Sequence, residues 1–318
     1  MLLGQITNGL VIGAMYALVA IGFTLVIGVL DKLNFAHPEV FMFGGVVGVV
    51  CAAHTSIWWA FPVAFVLGGL MGLITEFVSF RRFQSDDAKT TAALSSLSLG
   101  LVLVDVTHKV WGSEPVDLGL TASIFKEGFT VAGVKFLWAQ LIILVVTFAL
   151  MIGLHAAVSR TAAGRRIRAV AESPAHAGLL GIDVRRVTQT VFFVSSALAA
   201  VAGLLLALRT GVANPEIGLT FGLKAVAIMA IGGMGDMRGA VIAGLLIGVL
   251  EALTFQFGLG RLGEMTVWRR FALFANLRNV GDVPDRGTTV GPSTPYHATL
   301  RYQERYGSLW TFGVKGTF

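Results

Sequence analysis

Residues Ile6–Leu30 read ITNGLVIGAMYALVAIGFTLVIGVL, without one charged side chain. A helix that crosses a hydrocarbon core about 30 Å thick needs about 20 mostly apolar residues. This run meets that length, and runs of the same character recur down the chain. They are Glu39–Ile57, Trp58–Phe80, Leu94–Trp111, Phe136–Val158, Val187–Leu208, Ile217–Gly232 and Ala240–Phe257. Eight candidate spans predict an all-α fold, a polytopic membrane helix bundle. The second and seventh are short or interrupted by glycine, which predicts tilted or broken helices. The N-terminal MLLGQITNGL lacks a basic region, so the first run reads as a retained span rather than a cleaved signal.

Composition agrees. Of 318 residues, 55% are hydrophobic and 13% charged, where soluble domains carry about a quarter charged residues. A soluble protein this poor in charge could not cover its own surface, and the mean hydropathy of +0.78 points the same way. The 39 glycines suit close helix approach. Cys51 is the single cysteine, so one chain can form neither a disulfide framework nor a cysteine metal cluster. No cofactor or metal is expected. The net charge of +6 does not point to nucleic acid, because the cations sit in short loops between apolar runs.

Those loops set an orientation. Lys32, Arg81, Arg82, Lys89, Arg160, Arg165, Arg166, Arg168, Arg185, Arg186 and Arg238 fall on one side. Lys126, Lys135 and Arg209 fall on the other, with Lys109 at a boundary. Cytoplasmic loops carry the Lys and Arg excess. The N-terminus is therefore expected outside, and the long 159–186 loop inside. This divides the chain into a transmembrane domain, 1–267, and a tail, 268–318. The tail has no spanning run and is basic, with Arg269, Arg270, Arg278, Arg286, Arg301, Arg305 and Lys315 against Asp282, Asp285 and Glu304. After eight spans it would lie outside, against the orientation rule, and it reads as poorly ordered or aberrant.

Four spans carry a Gly-x-x-x-Gly pair: Gly9 and Gly13, Gly44 and Gly48, Gly68 and Gly72, Gly244 and Gly248. Each pair permits a tight crossing, though so glycine-rich a chain also produces such pairs by chance. Four constellations bear on chemistry. Asn34-Phe35-Ala36-His37-Pro38-Glu39 reads either as a pathway element or as a capped turn. The 159–186 loop reads as two short helical pieces, one basic and one small and apolar after Ser173-Pro174, fit to dock on a cytoplasmic subunit or to lie on anionic lipid. Among ionisable residues within spans, Glu76, Asp105 and His108 lie near helix ends and are expected to reach out. Lys224 and Glu251 lie deeper, either pairing to hold helices or lining a polar path. Finally, Gly232–Gly239 is glycine-rich but lacks the Gly-Lys-Ser/Thr of a phosphate-binding loop, so it predicts a tight turn. With no hydrolase or metalloprotease motif either, the chain is not read as an enzyme.

Taken in order, Asn8-Gly9-Leu10, Tyr16-Ala17-Leu18, Asn34-Phe35-Ala36-His37, Thr161–Ala169, Leu180-Gly181-Ile182, Gly222-Leu223-Lys224-Ala225, Gly232–Gly235 and Leu250-Glu251 resemble the permease subunits of branched-chain amino acid ABC importers, the LivH-type half in particular. The resemblance covers about residues 1–267. It implies a second permease subunit, two cytoplasmic ATPase subunits, a soluble substrate-binding protein and a bacterial inner-membrane location. It also implies leucine, isoleucine and valine as solutes, with urea and short amides in some relatives. The 159–186 loop would then be the ATPase-coupling segment, with Gly164, Arg165, Arg166, Arg168, Ala169, Glu172, Ala177, Gly181 and Ile182 as its residues. Asn34, His37, Glu39, Lys224 and Glu251 would border the translocation path. Pro38 departs from the glycine usual in the family, and 268–318 lacks the last apolar segment and Arg-Pro-x-Gly-like ending. Hydrophobicity and the family pattern are lost together near Val267, which suggests a disrupted reading frame or gene. The rival classes are a self-sufficient secondary transporter or channel, which would need coupling-ion groups near the midplane and often inverted repeats, and an intramembrane enzyme.

Overall fold

A computed structural model describes residues 2–83, 88–119, 128–131, 134–256, 271–278, 285–289, 300–304 and 309–316. The expected span end at Phe257, the cation Lys126 and about half of the basic tail, with Arg269, Arg270 and Arg305, lie outside the described residues. The chain divides into two units, Met1–Gln256 and Phe257–Phe318.

The first unit is a helix bundle. Its long helices are α1 (Leu2–Leu30), α2 (His37–His54), α3 (Ile57–Thr75), α4 (Lys89–Trp111), α5 (Trp138–Arg160), α8 (Val184–Thr210), α9 (Ile217–Gly232) and α10 (Met237–Gln256); the short α6 (Ala162–Glu172) and α7 (Pro174–Leu179) lie between α5 and α8. Among the described residues, seven helices are long and apolar enough to cross a membrane, and α9, at 16 residues, is the shorter eighth. The short pair α2 and α9 are each continuous rather than broken. Pro38 is tolerated at the start of α2 because the first turn needs no backbone N–H. The α3 helix ends in a π-helical turn, Glu76–Phe80, in which the Arg81 N–H reaches the Glu76 carbonyl at 2.8 Å. Small antiparallel ladders join β1 (Val116–Asp117) to β4 (Val212–Ala213) and β2 (Gly128–Val131) to β3 (Val134–Leu137).

Two helices form the centre. In α1 and α8, 83% and 89% of the most apolar stretch is buried, against 22–28% in α3, α4, α5 and α10. A helix apolar all round is stable only when enclosed, and these two are enclosed by the others. All four glycine pairs lie at crossings. Gly9 and Gly13 of α1 meet Gly248 and Gly244 of α10, backbone against backbone. Gly44 and Gly48 of α2 face Ala200 and Leu204 of α8, and Gly68 and Gly72 of α3 face the same helix at Ala200 and Ser196. A methyl added at any of these glycines except Gly48, which meets the Leu204 side chain, would enter a neighbouring backbone or a short side chain, so the approach depends on bare Cα atoms.

In the second unit, β5 (Phe271–Arg278) pairs antiparallel with β8 (Leu309–Gly316), and β6 (Asp285–Thr289) pairs antiparallel with β7 (Leu300–Glu304).

Candidate translocation path and coupling segment

The α1–α2 turn is both capped and buried. The α1 helix stops at Asp31, whose left-handed φ of 52° turns the chain. The Asn34 Oδ1 accepts the Ala36 N–H at 3.1 Å, and the Phe35 N–H donates to the Ser96 Oγ of α4 at 2.9 Å. Asn34 and His37 are 1% and 0% exposed. The imidazole Nε2 of His37 donates to the Val19 carbonyl at 3.3 Å, Nδ1 is buried without a partner, and the ring stands edge-on to Phe23 with centroids 4.5 Å apart. Gly22 leaves the room this ring occupies. Pro38 and Glu39 then lie against α9, where a side chain at Gly222 would strike the proline ring and one at Gly218 the Glu39 carboxylate. The proline that departs from the resemblance is thus accommodated by a glycine facing it.

On the same helix α9, Lys224 joins a three-member cluster. Its Nζ donates to the Glu251 Oε1 of α10 at 2.6 Å and to the Tyr16 hydroxyl of α1 at 2.7 Å. The Tyr16 hydroxyl in turn donates to the Glu251 Oε2 at 2.9 Å. The ammonium also lies 5.1 Å from the centroid of the Tyr16 ring. Phe221 bridges the two clusters, with its ring 5.1 Å from Tyr16 and stacked on Phe41 at 4.9 Å. Of the five expected path residues, α9 therefore carries Lys224 and touches Glu39 and Glu251, while Asn34 and His37 are enclosed in the α1–α2 turn. A second polar clasp, Arg209 to Asn8 at 2.7 Å, ties α8 to α1. Sequence reading missed Tyr16 and Arg209 as site members. A tyrosine at the middle of an otherwise apolar 29-residue helix was the available signal.

The remaining span charges differ from expectation in one case. Asp105 reaches outward to Lys109 at 2.7 Å, one helical turn on. Glu76 does not reach out: it is 3% exposed, at the first position of the π-helical turn. His108 is half-buried, with Nε2 unpaired.

The 159–186 loop forms the two short helices expected. The Thr161 Oγ1 accepts the Gly164 N–H at 3.1 Å, the Ser173 Oγ accepts the His176 N–H at 3.3 Å, and the Asp183 Oδ1 accepts the Arg186 N–H at 3.1 Å, so each helix start in the loop has a side-chain cap. The nine expected coupling residues separate by role. Gly164 and Ala177 are buried, and Gly164 sits against the Ala157 and Val158 carbonyls where no side chain fits. Arg168 donates to the Val158 carbonyl, which fastens α6 to the end of α5. Ala169 and Ile182 are half-buried, while Arg165, Arg166, Glu172 and Gly181 are exposed, the last with φ 77°. The outermost apolar groups are two that sequence reading omitted, Leu179 and Leu180, at 85% and 80% exposure. The Gly232–Gly239 stretch makes the tight turn expected, with positive φ at Gly233 and Gly235. Among the described residues, no group of three or more His, Cys, Asp or Glu could hold a metal ion.

Residues 5–275 match the family model described as the permease component of branched-chain amino acid transport systems. The chain is 33% identical over 263 residues to the high-affinity branched-chain amino acid transport system permease protein BraD of Pseudomonas aeruginosa, covering 79% of this chain and 85% of that protein. It is 35% identical over 270 residues to the permease LivH of Salmonella typhimurium, covering 80% and 86%. A more distant similarity, 25% over 246 residues, joins it to the ribose import permease protein RbsC of Haemophilus influenzae, covering 74% and 72%.

Proposed function

The chain belongs to the permease-component family of branched-chain amino acid transport systems, and from that membership we propose that it is the membrane-spanning subunit of an ATP-driven importer of leucine, isoleucine and valine. It acts with a second permease subunit, two cytoplasmic ATPases and a soluble binding protein in the inner membrane. Its N-terminus lies outside and the 159–186 segment inside. The family is a transport component rather than an enzyme. ATP-driven closure of the ATPases moves the coupling segment, and the spans rearrange around a path bordered by Asn34, His37, Glu39, Lys224 and Glu251.

The observation that carries this reading is the Tyr16–Lys224–Glu251 cluster. Lys224 and Glu251 keep 36% and 28% of their side-chain surface open, on helices whose outer residues Leu219, Leu223, Leu246 and Leu250 are apolar. A charge left open at membrane depth faces protein or water rather than lipid. The exposed faces of α3, α4 and α5 offer no comparable pair buried in the span. Support for the coupling role comes from Leu179 and Leu180, which stand out beside the cationic Arg165 and Arg166 as an apolar tip for a groove in a partner.

The test is reconstitution of the chain with its partner permease, ATPases and binding protein in proteoliposomes. ATP-dependent leucine uptake is expected, reduced at least tenfold by Lys224→Met without loss of assembly. Ion-driven uptake by the chain alone would instead support a secondary transporter. The tail is proposed to be a unit foreign to this fold, produced by a frame disruption between Gln256 and the end of the family match at residue 275.

A further inference from the structure

Where α1 ends, a cavity of about 390 Å³ opens between the span ends and the inner face of the coupling segment. Its apolar wall is Val29, Phe80, Val170 and Val184. Its polar wall is Glu76, Arg81 and Arg185, with Lys32 beside them, whose Nζ already donates to the Phe83 carbonyl at 2.6 Å. Val170 and Pro174 come from α6 and α7, Val184 and Arg185 from the start of α8 within the 159–186 segment, and the rest from the ends of the spans before it.

Glu76 is the unusual member. It is 3% exposed, and its Oε2 has no hydrogen-bond partner. A buried carboxylate oxygen without a donor is costly. The residue sits at the head of the π-helical turn, a distortion that costs regular hydrogen bonding and recurs where a side chain is re-aimed for function. Arg81 and Arg185 line the same cavity and act on the Glu76 carboxylate; the Arg81 guanidinium lies 5.3 Å from the Phe77 ring centroid, and Arg185 offers a guanidinium fork suited to a carboxylate. A buried acceptor without a donor, two cations and an aliphatic wall together describe one ligand chemistry.

We propose that this cavity is a second binding site, for a free α-amino acid with an aliphatic side chain. Its ammonium pairs with the Glu76 carboxylate, its carboxylate accepts from Arg185, and its side chain lies on Val29, Phe80, Val170 and Val184. This rests on the proposed function, in which the transported solute has that same chemistry and the 159–186 segment moves during transport. A ligand bound between segment and spans favours the conformation that encloses it, and by linkage resists any movement that opens the cavity. Solute accumulated inside would therefore slow its own import. An ethanolamine phospholipid carries the same ammonium and anion, so the test must separate the two sources.

The experiment uses the assembled transporter without its binding protein, in nanodiscs of phosphatidylglycerol alone or with phosphatidylethanolamine. Equilibrium binding of radiolabelled L-leucine is measured for the unaltered protein, Glu76→Gln, Arg185→Gln and Lys224→Met. The expected result is binding in both lipids, weakened at least tenfold by Glu76→Gln and by Arg185→Gln and retained in Lys224→Met. In proteoliposomes, leucine loaded inside slows uptake by the unaltered protein and leaves the rate of Glu76→Gln unchanged relative to its own unloaded control. Absence of binding, binding insensitive to both cavity substitutions, or binding lost only in Lys224→Met would overturn the proposal. So would displacement of leucine by phosphatidylethanolamine, which would give the site to a headgroup. Arg185 is exposed, so its substitution remains informative if Glu76→Gln does not assemble. The binding arm needs no turnover, so a transporter that fails to import leucine sinks the transport reading while leaving the Glu76-dependent site standing or falling separately.

Discussion

A lysine and a glutamate within hydrogen-bond reach on adjacent membrane helices can serve as a staple or as part of a path, and the two roles separate in a substitution cycle. Lys224→Met leaves Glu251 with only the Tyr16 hydroxyl, 2.9 Å away. Removing one partner of a buried pair costs roughly 3–5 kcal/mol, and less for a pair that is about one-third open as this one is. Replacing both, as Lys224→Met with Glu251→Leu, removes the uncompensated charge and is expected to restore the melting temperature in detergent to near that of the unaltered protein. Uptake should stay at least tenfold low in the double variant, because the polar lining is gone. Full recovery of uptake alongside stability would reduce the cluster to a staple. The two charges were legible in the sequence because a charge inside an apolar run stands out. Tyr16 was not, since an amphipathic ring at one end of a polar contact looks like any other large core side chain until its partner is known. Glu76 was misjudged for a geometric reason: five residues from the end of its apolar run it could have reached water along a regular helix, but it stands at the first position of the π-helical turn with its side chain inside.

Between elements, the deciding contacts are backbone to backbone. Gly13 faces Gly244 and Leu245 across the α1–α10 crossing, and any larger side chain there must force the helices apart. Gly13→Leu should therefore lower the thermal stability of the purified protein by many degrees, or prevent its assembly. Gly153 of α5 offers the control, since its Cβ position meets nothing within 4 Å. Gly153→Ala should leave stability unchanged or slightly raised, because alanine is the better helix former by about 0.5–1 kcal/mol. Equal effects of the two substitutions, measured by fluorescence-detected melting, would remove the crossing from the account. The spans themselves were readable to within a few residues, because length and hydropathy follow directly from membrane thickness. That all four glycine pairs are contacts was not readable, because spacing says which face is small and nothing about what approaches it. The same limit hid Leu179 and Leu180. In sequence they are two leucines in a helical piece, and only their 85% and 80% exposure marks them as a docking tip. Replacing both by serine should leave the spans intact and weaken co-purification of the ATPase at least tenfold, a loss that Leu246→Ser, exposed on α10 at the other side of the bundle, should not reproduce.

At the scale of the whole molecule, the two faces of the membrane decide. With α9 as an eighth crossing beside the seven long helices, the chain would return to the face on which it began, and the basic residues after Gln256 would sit opposite the cation-rich loops. A frame disruption in that region removes the conflict, and it predicts that one of the other two frames of the coding DNA, read on from there, encodes a further apolar segment; if neither frame does, the disruption is abandoned. Orientation can be measured independently of the tail. In a Cys51→Ser background, single cysteines at Arg165 and Glu216, both exposed, should label oppositely with a membrane-impermeant maleimide. Glu216→Cys, at the entrance of α9, is expected to react in intact cells. Arg165→Cys, on α6, should react only after permeabilisation. The cations at Arg160, Arg165, Arg166, Arg168, Arg185 and Arg186 dominate this outcome, because each would have to cross the membrane if the bundle were inverted. Labelling of Arg165→Cys from outside would put α6, α7 and the Glu76 cavity beyond the reach of any cytoplasmic ATPase or accumulated solute. The coupling role and the feedback site would then fall together, while the bundle and its Tyr16–Lys224–Glu251 cluster would stand.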